Sequence, residues 1–191
     1  TPSTKEKRYW EDGNINWFTP SDITSANSIF LSQSGDRCTE EGLNNSSAQM
    51  FPAFSIMLTS RATIGAIGIN TTPACTNQGF ITCIPNENFP LTFLYYWLNL
   101  NKPFFELIAT GSTFAELTKG TFKKIKILKP KKELVEQFEE IASPIFKQIE
   151  ILSQEVGILK VSRDLLLSRL ISGKLPVDLL DIHFPPNTVV D

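Results

Sequence analysis

The chain has 191 residues, of which 41% are hydrophobic and 20% charged, and its formal net charge at pH 7 is −2. These values are ordinary for a folded globular protein and exclude a wholly disordered chain. No run of about 18 apolar residues occurs, so a membrane-spanning helix is excluded and we expect a cytoplasmic protein without a membrane partner. Cys38, Cys75 and Cys83 form no CxxC pair, which predicts reduced thiols rather than a disulfide framework.

The part of the chain before Pro130 is predicted to be rich in β-strands, because its apolar residues occur in short runs separated by Gly, Pro, Asn and Ser. Runs of this length that are rich in Ile, Phe and Thr are typical of strands. The predicted strands are 15–19, 54–59, 64–69, 80–84 and 122–128. In the last of these, apolar residues interleave with lysines, which predicts one buried and one solvent-facing side. Residues 91–101 instead show helical spacing, and Pro103 is expected to stop that helix.

After Pro130 the spacing of the apolar residues predicts a long helix. Its apolar residues form a seam with heptad spacing and one extra four-residue step. The seam consists of Leu134, Phe138, Ile141, Ile145, Ile149, Leu152, Val156, Leu159, Leu166 and Leu170. Pro144 predicts a kink or the separation of a short first helix over 133–142, and Gly173 and Pro176 are expected to end the helix. Such a seam must pack against another helix, from the rest of the protein, a second copy or a different protein.

The candidate binding residues lie in one basic run and three polar loops. Seven lysines occupy the fourteen positions 119–132, which contain no acid and therefore indicate either a solvated face or a contact with a polyanion. In loops 60–65, 76–79 and 110–113, Gly permits close approach of an anion, while Arg, Asn and Gln offer forked donors. Each loop alone is explained as a tight turn, but together with the lysines they predict nucleic-acid binding. The candidates are Arg61, Thr63, Gly65, Asn77, Gln78, Gly111, Ser112, Thr113, Lys119, Lys123 and Lys124.

The sequence has no recognisable catalytic centre, metal site or cofactor motif. Its one histidine, His183, lies beyond the last predicted helix, and neither a P-loop nor a G-x-G-x-x-G motif occurs. Three scattered cysteines and one histidine lack the spacing of a zinc site. We therefore expect a binding protein with no catalytic residues, no metal and no cofactor.

The order of several short motifs resembles the DNA-specificity subunits of type I restriction-modification enzymes. Each motif is weakly specific, but their order over most of the chain is strongly specific. The matching segments are YWEDGNINWFTPSDI at 9–23, SRATIG at 60–65, NQGF at 77–80, GSTF at 111–114, EQ at 136–137 and RDLLLSRLISGKL at 163–175.

The resemblance implies an α+β fold, with a mixed, β-rich target-recognition domain over 1–132, a spacer and dimerisation helix over 133–173 and a tail over 174–191. Such subunits consist of two similar halves, each of which recognises one half of a split target in double-stranded DNA. Their two helices pack as an antiparallel coiled coil and dock methyltransferase subunits, and restriction subunits through them. Methyl transfer and cleavage belong to those partner chains. This sequence would supply one half, and its tail is expected of the C-terminal half.

If the second half is absent, an equivalent helix from a second copy is the nearest substitute, which predicts a homodimer through 145–171. The predicted interface residues are Ile145, Ile149, Leu152, Val156, Leu159, Leu166 and Leu170. Within the recognition domain, we expect Arg61 and the lysines at 119, 123 and 124 to contact phosphates. The amides and hydroxyls of the three loops are expected to line or support the DNA-facing surface.

Two other classes of function remain as alternatives. One is a coiled-coil protein-interaction module whose globular domain binds protein or glycan rather than DNA, and a missing DNA shift at low salt would favour it. The other is an unrecognised enzyme, which the poor inventory of catalytic residues disfavours.

Overall fold

The computed structural model describes residues 1–111 and 115–175, which fall into two compact units, Thr1–Glu150 and a second that begins at Ile151. A 3₁₀ helix at Lys7–Tyr9 precedes the first strand. The elements that follow are β1 (Ile15–Phe18), α1 (Pro20–Thr24), β2 (Phe30–Leu31), β3 (Asp36–Cys38), α2 (Glu40–Asn44), β4 (Ile56–Thr59), β5 (Ile67–Asn70), β6 (Ala74–Thr76), β7 (Phe80–Cys83), α3 (Leu91–Leu100), α4 (Lys102–Ile108), α5 (Lys119–Phe122) and α6 (Lys132–Ile171). Among the described residues, no helix has both the length and the apolarity to cross a bilayer.

The strands form two mixed sheets, in the orders β3-β1-β6 and β2-β5-β4-β7. In the first sheet β1 pairs antiparallel with β3 and parallel with β6. In the second, β4 pairs antiparallel with β5 and β7, and β2 pairs parallel with β5. The predicted α+β class is confirmed, with the sheets early in the chain and the long helix after them.

Strand β4 lies in the interior of the larger sheet and separates two hydrophobic clusters. Successive side chains of a strand point to opposite faces, so Ile56 and Leu58 join one cluster and Met57 the other. Helices α3 and α4 contribute Leu98 and Phe105 to the first cluster. Because both faces are covered, all four residues of β4 are buried, and its first three are apolar in succession rather than alternating with polar ones.

The smaller sheet buries a third cluster around Trp17, Cys38 and Cys75. Trp10 packs edge-on against Trp17, with ring centroids 5.5 Å apart. All three cysteines of the chain are free thiols. Burial raises the pKa of Cys75 and of Cys83 to about 12. These thiols are therefore held in the protonated, unreactive form near neutral pH.

The predicted helix at 91–101 is confirmed as α3, but Pro103, which was expected to stop it, belongs to the next helix. Helix α3 ends at Leu100, and Asn101 turns the chain directly into α4, where Pro103 occupies the first turn. Proline is favoured there because the first N–H groups of a helix have no intrahelical partner. The side-chain amide of Asn101 donates to the carbonyl of Trp97 (2.7 Å) and satisfies the end of α3.

The strand predicted at 122–128 is wrong. Helix α5 covers the start of this segment, and its hydroxyl cap is Thr118, which accepts from the backbone N–H of Thr121 (3.1 Å). Phe122 and Ile125 pack against the first cluster. These two residues are three positions apart, so both side chains reach the cluster from one turn of the chain. Their spacing therefore does not indicate a strand. The strand predicted at 64–69 is shorter than expected, because β5 begins only at Ile67.

Helix α6 confirms the predicted long helix, but the predicted separation of a short first helix at Pro144 is wrong. Pro144 lies inside one continuous helix of 40 residues. A proline in a helix interior costs about 3 kcal/mol. Ala142 and Phe146, on either side of Pro144, are buried within the first unit and stabilise the helix across this position.

The first part of α6 is attached to the rest of the first unit by both apolar and polar contacts. The ring of Phe146 packs edge-on against Phe30 and Tyr95, with centroids 6.1 and 5.1 Å apart. Pro90, which precedes α3, has no side-chain acceptor to cap that helix. Glu139 of α6 replaces it, because its carboxylate accepts from the backbone N–H of Phe93 (3.1 Å) and from the hydroxyl of Thr92. The first compact unit accordingly extends to Glu150.

Candidate nucleic-acid interface

The three polar loops singled out in the sequence meet at Ser60. The backbone N–H of Ser60 donates to the carbonyl of Gly79 (2.8 Å), and its carbonyl accepts from the N–H of Leu117 (2.9 Å). Thr110 and Glu116 exchange two backbone hydrogen bonds of 3.0 and 2.9 Å, which join the two ends of the segment that contains the third loop. Loops that are up to fifty positions apart in the chain are thus linked through the backbone N–H and carbonyl groups of Ser60.

The first loop is held from inside by the buried hydroxyl of Thr59. This hydroxyl accepts from the N–H of Ala66 (2.9 Å) and donates to the carbonyl of Thr63. The N–H of Gly65 closes the loop on the carbonyl of Thr59 (2.9 Å). Two residues of the loop have left-handed backbone, Ala62 with φ of 58° and Gly65 with φ of 85°. Thr63 itself is exposed, so the loop presents its side chain to solvent from a fixed backbone.

Gly65 also lies against a cation that the sequence analysis missed. A Cβ atom at this position would stand 2.6 Å from Cγ of Lys102, at the start of α4. Only glycine therefore fits without displacing the lysine stem. No pattern in the sequence marks Lys102, which is an isolated lysine next to a proline.

Arg61 forms an ion pair on the exposed side of the first loop. Its Nε–H donates to Oε1 of Glu116 across 2.9 Å, and the two residues also form an antiparallel bridge. The side chains are 45% and 35% exposed. Glu116 was not among the predicted site residues, although it is the one acidic residue between Glu106 and Glu133.

The second loop has a turn-forming and an exposed side chain next to each other. Oδ1 of Asn77 accepts from the N–H of Gly79 (2.9 Å), so this amide forms the tight turn that the sequence left as an alternative. Gln78 is exposed, and its Oε1 accepts from the hydroxyl of Thr1 (2.8 Å). In the third loop Gly111 is exposed with φ of 138°, while Ser112 and Thr113 lie outside the described residues.

The predicted phosphate-binding lysines are exposed on and just after α5, which follows directly from Leu117 at the junction of the loops. These residues are Lys119, Lys123 and Lys124. Lys124 and Lys126 also border a groove of about 490 Å³ that contains Trp97 and the half-exposed ring of Phe104. The lysines of the basic run at 119, 123, 124 and 126 therefore face solvent.

A second surface is formed by the predicted seam of α6. All ten seam residues are exposed, by between 36 and 72%. The buried residues of α6 form a different face, which consists of Val135, Ala142, Phe146 and Glu150. Phe138 of the seam still packs edge-on against Tyr96 of α3, with ring centroids 6.0 Å apart. In the second unit every residue from 154 to 171 is exposed.

Within residues 1–111 and 115–175, no cluster of His, Cys, Asp or Glu could hold a metal ion. What the described residues do offer is one polar, partly cationic loop surface on a β-sheet scaffold and one apolar helix face. These two surfaces define a binding protein made of a globular domain and a long helix.

Comparison with known proteins identifies the family. Residues 1–156 match the family model described as the type I restriction modification DNA specificity domain. The match covers most of the chain, so the chain belongs to this family, and the resemblance found in its motifs is confirmed.

Named relatives agree with this assignment. The chain is 36% identical over 163 residues to the type I restriction enzyme MjaIX specificity subunit of Methanocaldococcus jannaschii, covering 81% of this chain. It is 32% identical over 178 residues to the HindI specificity subunit of Haemophilus influenzae, covering 92% of this chain. In each case it spans 38% of the relative's length.

The fold is also similar to that of a solved structure. The crystal structure of the HsdS subunit from Thermoanaerobacter tengcongensis matches with a TM-score of 0.53 and 16% sequence identity. The match covers 85% of this chain and 38% of that one. At this identity the likeness concerns the fold alone, and it agrees with the mixed sheets and long helix described above.

Proposed function

We propose that this chain is a non-catalytic DNA-specificity module that recognises one half of a split target in double-stranded DNA. The observation that carries the proposal is the meeting of the three polar loops at Ser60, in a member of a family described as DNA specificity domains. Side-chain amides and hydroxyls on these loops supply the donors and acceptors that base edges require. In this proposal residues 1–132 are the recognition domain, 133–173 the spacer helix and 174–191 a tail.

The division of labour on this surface follows from charge and exposure. Lys119, Lys123 and Lys124 are exposed cations, which suits them to neutralise phosphates without selecting a sequence. Thr63 and Gln78 are exposed side chains on loops with fixed backbones, which suits them to contact bases. Asn77 supports the surface by holding the turn. The module works on cellular DNA, in the cytoplasm, and needs no cofactor of its own.

The seam of α6 is proposed to pack antiparallel against a second such helix. The exposure of the whole seam supports this role, because an apolar stripe of this length is not stable in water without a partner. The second helix belongs to a further copy of this chain when the chain is alone, which gives a homodimer through 145–171. The paired helices then dock methyltransferase subunits, and restriction subunits through them.

The direct test is binding to a pool of duplex DNA that contains a randomised segment. The chain is expected to shift the pool at low salt and to enrich a defined short sequence on repeated selection. Methylation sequencing of cells with and without the gene should then report the same sequence as a modified site. A complete lack of a shift at low salt would contradict the proposal and point to a protein or glycan ligand.

A further inference from the structure

The ion pair between Arg61 and Glu116 changes what the arginine is suited to bind. A phosphate is attracted by uncompensated positive charge. Arg61 has a carboxylate 2.9 Å from its Nε, so the pair as a whole carries no net charge. The carboxylate would also stand close to any phosphate that approached the guanidinium. The pair is therefore a poor phosphate anchor, in contrast to the exposed lysines of α5.

The same ion pair leaves Arg61 well arranged for a base. A guanidinium has five N–H donors, and the contact with Glu116 engages the one on Nε. The two terminal nitrogens carry the other four, and 45% of the side chain is exposed. Two parallel N–H donors match the O6 and N7 acceptors of guanine in the major groove, which is the commonest specific contact of arginine with DNA.

The backbone beneath Arg61 is fixed on both sides. Ser60, the preceding residue, is hydrogen-bonded to the other two loops. Ala62, the following residue, is held in a left-handed conformation, in a loop closed by Thr59. Glu116 is itself fixed by its two backbone hydrogen bonds to Thr110. Recognition of a base edge needs a donor held within a narrow range of positions, and this arrangement restricts the guanidinium before DNA arrives.

We infer that Arg61 recognises one guanine of the half-site through its two terminal nitrogens, and that Glu116 is the positioning residue that orients it. This assignment replaces the phosphate contact expected for Arg61 from the sequence. It rests on the proposed function, since a guanine contact requires that the loop surface binds DNA.

The first test compares the motif that the unmodified 191-residue chain enriches from a randomised duplex pool with the motif enriched by Arg61→Ala. The variant is expected to lose the preference for guanine at one position, while the other positions keep theirs. Binding to a duplex with that guanine should fall by roughly 5- to 150-fold, the range of one bidentate base contact. Affinity for random duplex should fall much less, because Arg61→Ala removes one positive charge but no phosphate contact, and the slope of log K against log salt should stay unchanged. Arg61→Lys should behave like Arg61→Ala, because an ammonium lacks the planar fork.

The second test separates orientation by Glu116 from general support of the loop. Glu116→Gln keeps an oxygen acceptor for Nε and is expected to retain the guanine preference. Glu116→Ala removes the acceptor and is expected to weaken the preference at the same single position as Arg61→Ala. Because both variants remove a negative charge, both should bind random duplex somewhat more tightly at low salt. A purely structural role would instead weaken recognition at all positions together.

A control is the ion pair of Arg8 with Glu41, whose atoms are 3.1 Å apart and whose side chains are 62% and 48% exposed. Arg8→Ala and Glu41→Ala should leave the motif intact, and thermal unfolding should show that every variant is folded. If Arg61→Ala lowers affinity for all sequences equally and flattens the salt dependence, Arg61 is a phosphate contact and the inference is wrong. If the unmodified chain enriches no motif, the proposed function fails and the inference fails with it.

Discussion

The loop surface around Ser60 and the seam of α6 are both exposed. They differ in how many of their groups are paired or buried within the single chain. The backbone groups at the loop junction are paired within the domain, and Arg61 has a carboxylate partner. The seam presents ten apolar side chains to solvent. The loop surface can therefore form within the domain alone, whereas the seam would bury its apolar side chains only against the further helix that we propose. This contrast is what we expect if the loop surface recognises DNA and the seam pairs with another helix, as proposed above.

The largest expected effect concerns assembly through the seam. Val156→Asp combined with Leu159→Asp would bury unpaired carboxylates in the helix interface, at a cost on the order of 5 kcal/mol. We expect the homodimer to separate into monomers, as measured by light scattering at micromolar concentration. Both side chains are half-exposed or more in the single chain, so the globular domain should stay folded.

Val161→Asp combined with Leu165→Asp is the matched control for the seam variant. These residues are exposed on the side of α6 that lies away from Val156 and Leu159, according to the helical period of 3.6 residues. The control is expected to remain a dimer. If the unmodified chain is already a monomer, self-pairing is ruled out and the seam belongs to a different partner.

The next effect separates the buried face of α6 from its exposed seam. Phe146 is 4% exposed and packs on Phe30 and Tyr95. Phe146→Ala should lower the free energy of unfolding by about 3–5 kcal/mol, because it leaves a cavity in the first cluster. Leu107→Ala, at a residue that is 79% exposed on α4, should change it by less than about 0.5 kcal/mol. Equal losses in urea titrations would show that α6 is not anchored through this face.

A smaller effect concerns base recognition by the second loop. Gln78→Ala should weaken binding to the selected sequence by roughly 1–3 kcal/mol and leave binding to random duplex nearly unchanged. Asn77→Ala is expected to weaken recognition as well, but through its lost hydrogen bond to Gly79, so its thermal stability should fall too. If neither variant alters affinity or selectivity, the second loop lies outside the interface.

The smallest effect concerns the lysines after α5. Lys123→Ala with Lys124→Ala should weaken specific and random duplexes alike and should flatten the slope of log K against log salt by about 0.9 for each lost phosphate contact. Lys5→Ala with Lys7→Ala removes the same charge elsewhere and should leave the slope unchanged. An unchanged slope in the first variant would mean that these lysines form only a solvated face.

The sequence predicted those parts of the fold whose determinants are local. Strands β1, β4 and β7 and helix α3 appear within a few residues of their predicted bounds, because runs of Ile, Phe and Thr or helical spacing define them. The short strands β2, β3 and β6 were not predicted. Each has two or three residues and is specified by its partners in the sheet rather than by its own sequence. Pro144 stays helical for the same reason, because packing on either side outweighs its local preference.

The sequence predicted which loops form the candidate site, but it did not predict how these loops are placed relative to one another. Gly and polar residues at 60–65 and 76–79 marked the loops correctly, since close turns require them. Their meeting at Ser60 depends on long-range backbone hydrogen bonds, which leave no pattern in the sequence. For the same reason Glu116 and Lys102 were missed, because each acquires its role from a neighbour that is distant in the chain.

The reactivity of the cysteine thiols of this protein can report local unfolding of its β-sheets. Cys38 and Cys75 lie in the smaller sheet and Cys83 at the edge of the larger one. With the pKa of Cys75 and Cys83 raised to about 12 by burial, their thiolate population at neutral pH is negligible while the sheets are closed. Local unfolding returns a thiol to its ordinary pKa and exposes it to alkylating reagents. Pulses of such a reagent, followed by mass spectrometry, would therefore report the opening of the smaller sheet through the buried thiols of Cys38 and Cys75.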